Sequence, residues 1–451
     1  MNQTTPSTVA VRGPIKSRPK STPVAEIPDF VRRARHAQPA WAALGAAERA
    51  RLVGCAASEM KARAEEIGSL ASAEMGKPLR EAVGEARYCG EELAKAAELV
   101  AKALAPERLE DESVVSELRF DALGVAVCIT PWNFPVWMPQ DVVVPSLVAG
   151  NTVILKPSEK TPASSQAWAE CLMAHLPPDV LQVVHGDEAQ GKALVQAEVN
   201  LVAFVGSRAA GKHIMREAGT GLKRLVLELG GKDALIVLED ADLDAAVTFA
   251  TRNCYRNAGQ VCVSTERIFV HERLAARFTE ELARRAGALV QGDPSAEATQ
   301  VGPMADSGQA SHVRELIDDA IRSGAKVAVG GSGHGDFVQP TVLTGVTSAM
   351  RIMREETFGP VACIMIVASD DEAVRLANDS PYGLGGSVFG EREHAMRVAR
   401  ALETGMVGIN RGCGGAEGAP WVGAKESGFG YLRGTGGHRQ FAQVRVISAA
   451  R

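Results

Sequence analysis

Between residues 150 and 240, short apolar runs alternate with helix-patterned stretches, and this alternation limits the fold more than any other feature of the chain. Thr152 to Leu155, Leu181 to Val184 and Leu201 to Val205 read as strands, and 163–175, 188–196 and 209–218 read as helices. Strands that are apolar along their whole length belong in a parallel sheet covered on both faces. A second series starts at Ala234-Leu235-Ile236-Val237 and runs to about residue 410. It includes a strand at 266–270, helices at 273–288 and 308–323, Lys326-Val327-Ala328 and a strand at Val361 to Val367. Two series within 451 residues predict an α/β protein of two or more domains.

The flanks differ. Residues 29–105 are alanine-rich and read as helices, alanine being the best helix former. Segment 113–130 reads as an extended arm that turns into a buried strand, Val125 to Ile129. Gln443 to Ile447 reads as a terminal strand. The net charge of -5 leaves no footprint for nucleic acid. No uncharged apolar run reaches the roughly 18 residues of a membrane span. Eight scattered cysteines form no CxxC pair and no zinc spacing, which predicts free thiols in a cytoplasmic protein and no metal. Residues 1–25 carry Arg12, Lys16, Arg18 and Lys20 and no acid. They read as a loose or edge-strand arm, with an organelle transit peptide as the alternative.

The chemistry centres on Asn257-Ala258-Gly259-Gln260-Val261-Cys262-Val263-Ser264. A helix over Asp242 to Tyr255, with Asp240 or Asp242 as its N-cap, precedes this turn, and a strand at Arg267 to Val270 follows it. A thiol there can face a cleft, but only its thiolate is reactive, so the site must lower the thiol pKa or take its proton. Glu228 ends the apolar run Leu225-Val226-Leu227, where burial would raise its pKa toward a useful general base. Pro131-Trp132-Asn133-Phe134-Pro135 follows a buried strand at its carboxyl end, where open α/β sheets bind ligands. Asn133 has two readings, an oxyanion donor alongside the Cys262 N–H, or a cap on the next turn. Lys156-Pro157-Ser158-Glu159 can reach ribose hydroxyls or form a surface ion pair. Phe204 to Gly211 reads as a strand, a glycine turn and a helix start whose N–H groups suit pyrophosphate.

Taken together and in order, these segments resemble the aldehyde dehydrogenase superfamily. Glu228-Leu229-Gly230-Gly231-Lys232, Glu355-Glu356-Thr357-Phe358-Gly359-Pro360 and Pro420 to Gly428 extend the likeness over about residues 29–449. The resemblance implies a Rossmann-type coenzyme domain (1–105 and 124–229), an α/β catalytic domain (230–435) and a small oligomerisation arm (106–123 and 436–451). It implies Cys262 as nucleophile, Glu228 as general base and Asn133 as oxyanion donor. The matching coenzyme positions are Thr130, Pro131, Trp132, Lys156, Ser158, Glu159, Gly206, Ser207, Gly211, Leu229, Glu356 and Phe358. Leu229 and Phe358 are alternatively plain core residues. The substrate positions are Trp137, Met138, Asp141, Arg256, Val261, Val263 and Trp421.

The implied reaction is oxidation of an aldehyde to the acid with NAD, or alternatively NADP, through a thiohemiacetal and thioester on Cys262. The competing readings are a CoA-acylating relative, which Glu228 argues against, and an idle protein on the same fold. The arm and terminal strand are edges that need partners, which implies a homodimer or homotetramer. Glu188 stands where the family often has a glycine, and Trp421 where Phe is commoner. Succinate-semialdehyde enzymes often carry Arg where Asp141 stands, so no strong preference for carboxylate-bearing substrates is expected. Alternatively, Asp141 and Arg256 pair with each other or point away.

Overall fold

A computed structural model describes residues 18–451. Arg12 and Lys16 of the basic N-terminal stretch lie outside the described residues. Next to them, the Thr22 N–H donates to the His185 carbonyl at 2.8 Å, and the Gln190 amide donates to the Thr22 carbonyl at 2.8 Å. The alanine-rich stretch forms helices over Ile27–Ala42, Gly45–Gly54, Ala57–Ala62, Ala64–Met75 and Leu79–Ala103.

The first alternating series builds a six-stranded sheet in the order Gly428–Phe429, Arg224–Glu228, Leu201–Val205, Val125–Ile129, Thr152–Lys156, Leu181–Val183. All its pairings are parallel except that of Gly428–Phe429, which returns from late in the chain to run antiparallel to Leu227 and Glu228. The 230–435 segment therefore reaches back into the first sheet. Helices cover both faces, as the strand Val125–Ile129 shows. Ala126 and Cys128 pack into one apolar core with Trp41 and Trp168, while Val125, Val127 and Ile129 pack into another with Ile27 and Val31. Both cores need apolar side chains, which is why these strands do not alternate with polar residues. Strand order reverses at Val125–Ile129: the chain adds two strands on one side, then crosses to the other. Such a switch point opens a crevice at the carboxyl ends.

The second series builds a seven-stranded sheet in the order Lys326–Val329, Thr341–Thr344, Val361–Val367, Thr265–His271, Asp233–Val237, Gly385–Phe389, Met406–Ile409. One continuous core of Leu235, Phe269, Phe278, Leu316 and Ile364, among others, supports it. Gly230, Cys262 and Glu356 come just before its strands, while Trp132, Gly206 and Glu228 come at or just after the ends of first-sheet strands. All six line one cavity, so the carboxyl ends of one sheet face the amino ends of the other.

A separate three-stranded sheet joins Glu107–Glu110, Val114–Ala122 and Ala442–Ala450. The arm and the terminal strand thus pair with each other, from Val114 opposite Ala450 to Ala122 opposite Ala442. Val444, Val446 and Ile447 remain exposed on the terminal strand.

Two buried ion pairs brace the loops near the cavity. Lys77 and Glu85 meet at 2.5 Å, and Lys232 and Glu266 meet at 2.5 Å. Glu266 also accepts the N–H groups of Thr357 and Phe358, each at 2.8 Å, and so fixes the loop that carries Glu356. Removing one partner of a buried pair strands the other charge, at a cost of about 3–5 kcal/mol. Lys232→Met is therefore expected to lower stability by about that amount in urea unfolding. An unchanged midpoint would contradict this role.

Candidate active site

The helix Leu243–Tyr255 is N-capped by Asp242, whose carboxylate accepts the Ala245 N–H at 3.1 Å. Beyond its end the chain takes three successive left-handed residues, Asn257, Ala258 and Gly259, with φ of 49°, 55° and 72°. A Cβ on Gly259 would sit 2.1 Å from the Gly359 carbonyl oxygen, so the close approach requires glycine. Left-handed Asn and Ala cost about 1–3 kcal/mol each and persist where surroundings over-determine them. Here the Asn257 amide donates to the Gln260 carbonyl at 3.1 Å and to the Asn133 carbonyl at 3.3 Å, and Gln260 donates back to the Asn257 carbonyl at 3.0 Å. The Asn133 amide donates to the Gln260 carbonyl at 3.1 Å, which orients it and leaves one amide hydrogen uncommitted. It does not cap the following helix, Trp137–Val148.

Cys262 emerges from this turn, half-buried, on the wall of a cavity of about 720 Å³. Burial first, then the nearby Asp233, Glu356 and Glu228 carboxyls, push its thiol up to about 12. Only the Val263 N–H works the other way, and burial outweighs it, so of the two routes the sequence allows, removal of the thiol proton remains. Glu228, on the same wall, is 4% exposed, and neither carboxylate oxygen has a hydrogen-bond partner among the described residues. Burial, helped by the Asp141 charge, holds its carboxyl well above the ordinary range; Arg433 and the Trp421 side chain offset only part of this. Glu356 accepts the Gly231 N–H at 2.9 Å, and burial together with Glu266 raises it to about 8.

On the coenzyme side, Pro131, Trp132, Gly206, Ser207, Leu229, Glu356 and Phe358 line this same cavity. The Trp132 and Phe358 rings meet edge to face at 5.5 Å. Leu229 also packs in the core behind the first sheet. A Cβ on Gly211 would lie 2.5 Å from a Leu229 methyl, which lets the helix Arg208–Gly219 sit close to the sheet. Ser207 caps that helix. Thr130, Lys156, Ser158 and Glu159 lie off this cavity, at or beyond the carboxyl ends of the strands Val125–Ile129 and Thr152–Lys156. Lys156 is buried 3.8 Å from the half-exposed Glu159, and the Ser158 hydroxyl is 3.4 Å from the same carboxylate. The buried Thr130 hydroxyl has no partner among the described residues. A helix start, an unpartnered hydroxyl and an accessible carboxylate at a switch point fit a dinucleotide.

On the substrate side, Trp137, Met138 and Asp141 ride on the helix Trp137–Val148. Glu85, paired with Lys77, accepts the Val136 and Trp137 N–H groups at its start, each at 3.0 Å. Arg256, Val261, Val263 and Trp421 line the cavity as well. Asp141 does not pair with Arg256. Its partner is Arg433, at 2.6 Å, while Arg256 lies 5.2 Å from the Phe134 ring centre. The sequence reading also missed Arg252, Gln309, His312, Arg411 and Cys413, all on the cavity wall. None of these lies in a recognisable motif, and Arg433 is 292 residues from Asp141.

The chain belongs to the aldehyde dehydrogenase family, whose pattern it matches over residues 4–447. It is an NAD(P)-dependent aldehyde dehydrogenase. It is 39% identical over 421 residues to the chloroplastic aminoaldehyde dehydrogenase of Arabidopsis thaliana, covering 90% of this chain and 84% of that one. It is 38% identical over 441 residues to the NADP(+) succinate-semialdehyde dehydrogenase of Deinococcus radiodurans, covering 94% and 90%. Among solved structures, betaine aldehyde dehydrogenase of Staphylococcus aureus in complex with NAD+ superposes with a TM-score of 0.91 at 31% identity, covering 95% of this chain and 88% of that one. Among the described residues no helix is long and apolar enough to cross a membrane.

The raised thiol has a direct consequence. Without coenzyme, alkylation of Cys262 by iodoacetamide should be slow at neutral pH. It should then rise about tenfold per pH unit through the alkaline range, because only the thiolate reacts. A plateau near neutral pH would contradict the burial argument.

Proposed function

We propose that Cys262 attacks the aldehyde carbon as its thiolate, the thiol proton having passed to solvent, and that the Asn133 amide and the Cys262 N–H receive the oxyanion. A nicotinamide coenzyme held by Trp132, Gly206, Ser207, Glu356 and Phe358 would supply the hydride acceptor, which leaves a thioester on Cys262. Glu228 in its ionised form then takes a proton from water, which attacks the thioester and releases the acid. The observation that carries this reading is the Glu228 carboxyl, buried and unpartnered on the wall that also carries Cys262. A CoA-acylating enzyme needs no such base, and an idle protein would have no use for a costly unpartnered carboxyl.

Residues 1–105 and 124–229 are read as the coenzyme-binding part, 230–435 as the catalytic part, and 106–123 with 436–451 as the oligomerisation arm. The exposed apolar face and open edge of Ala442–Ala450 support a homodimer or homotetramer. Eight free cysteines support a reducing, cytoplasmic setting.

Coenzyme choice rests on Glu159. Its half-exposed carboxylate would accept ribose hydroxyls and repel a 2′-phosphate. Lys160 does not relieve that repulsion, because it pairs with Asp306 at 2.5 Å. NAD is expected to exceed NADP in kcat/KM by about tenfold or more, the equivalent of about 1.4 kcal/mol. Equal efficiencies would remove this role from Glu159.

The two half-reactions can be separated. Cys262→Ala should give no NADH even in a single turnover. Glu228→Gln keeps size and polarity but removes the base, so turnover should fall about 10²–10⁴-fold. A first burst of about one NADH per site should survive, since acylation precedes the base step. Loss of the burst together with turnover would instead assign Glu228 to deprotonating Cys262.

A further inference from the structure

The far wall of the cavity carries two tryptophans, Trp137 and Trp421. Facing aromatic rings of this kind can hold an ammonium group. Here the space is already taken. The Arg433 guanidinium carbon lies 5.2 Å from the Trp137 ring centre and 5.6 Å from that of Trp421. Asp141 holds the guanidinium from the side, with contacts of 2.6 and 3.4 Å. The backbone fixes it too. Leu432 and Trp421 exchange N–H···O bonds of 2.8 and 2.9 Å, and Arg433 follows with φ of 58°. Asp141 is thus committed to a cation of the protein and is not open to one from a substrate.

The remaining charge on the wall points the same way. Arg252, Arg256 and Arg411 line the cavity, and no carboxylate of the described residues forms an ion pair with any of them. Glu81 is the acid whose field reaches Arg252 and Arg256, and burial raises its carboxyl. Glu81 itself lies off this wall, whose acids besides Asp141 are Glu228 and Glu356, both raised by burial. An exposed or half-buried guanidinium without a partner at a substrate cavity is a ready bidentate donor to a carboxylate.

We infer that the aldehyde oxidised here carries a carboxylate at the end away from the carbonyl. Arg256 and Arg252 receive that carboxylate, and Arg433 excludes ammonium-bearing aldehydes from the tryptophan pair. This rests on the reading of the cavity as the aldehyde site. It also departs from the expectation of no carboxylate preference, which rested on Asp141 standing where succinate-semialdehyde enzymes often carry Arg. The names of the relatives span both charges, so the decision comes from the side chains of this chain.

The test is a kcat/KM panel on the full-length enzyme. It compares succinic and glutaric semialdehydes with butanal and pentanal, and with betaine aldehyde. The semialdehydes should exceed their neutral counterparts by about tenfold or more, with betaine aldehyde lowest, as expected for charge-assisted contacts. Added salt should lower kcat/KM for the semialdehydes more than for pentanal. Arg256→Gln and Arg252→Gln should each reduce the carboxylate-to-neutral ratio, and Arg433→Leu should raise use of betaine aldehyde. If the Arg433 variant does not fold, the wild-type panel and its salt dependence still decide the question. Betaine aldehyde equal to or better than the semialdehydes would overturn the inference, as would a ratio unmoved in both glutamine variants. No NADH from any aldehyde would instead mean that the aldehyde reading itself fails.

Discussion

Glu228 ends a strand of the first sheet with both carboxylate oxygens out of water and without a partner, and much of the site follows from that. Removing a carboxylate from water without compensation favours its protonated form. Burial likewise raises the Cys262 thiol, Glu356 and Asp233. Ionisation of Glu228 and Cys262 is a step the reaction must drive, and that favours the alkaline side of neutrality.

The rigidity that keeps this gap in place comes from carboxylates that do have partners. Glu85 and Glu266 are each buried against a lysine, and each spends its other lone pairs on backbone N–H groups of the loops flanking the cavity. Charge-assisted bonds of this kind position the Trp137 helix and the Thr357-Phe358 turn without a bound ligand. Glu85 and Glu266, which have lysine partners, hold backbone, whereas Glu228 lines the cavity.

Much of this was legible in the sequence. Strands such as Val125–Ile129 and Leu201–Val205 were visible because a sheet covered on two faces must be apolar at every position, whereas Thr341–Thr344, Gly385–Phe389 and Met406–Ile409 were not read as strands. The thiol turn announced itself through Gly259, which stands where a side chain would strike the backbone. The Gly428–Phe429 strand was not legible, since two residues carry no periodicity and their partner lies about 200 residues earlier in the chain. Nor was the Arg433–Asp141 pair. Local pattern says nothing about which distant charges meet, and the nearer Arg256 was an equally reasonable partner. That one pairing reverses the electrostatic reading of the substrate side.

The central claim is that burial holds the Glu228 carboxyl well above the ordinary carboxyl range. Infrared difference spectroscopy with isotope-labelled glutamate, comparing the wild type with Glu228→Gln across a pH titration, tests it most directly. The predicted result is a protonated-carboxyl band, missing from the variant, that persists to a higher pH than that of an ordinary glutamate. A Glu228 signal already in carboxylate form at mildly acidic pH would contradict the account.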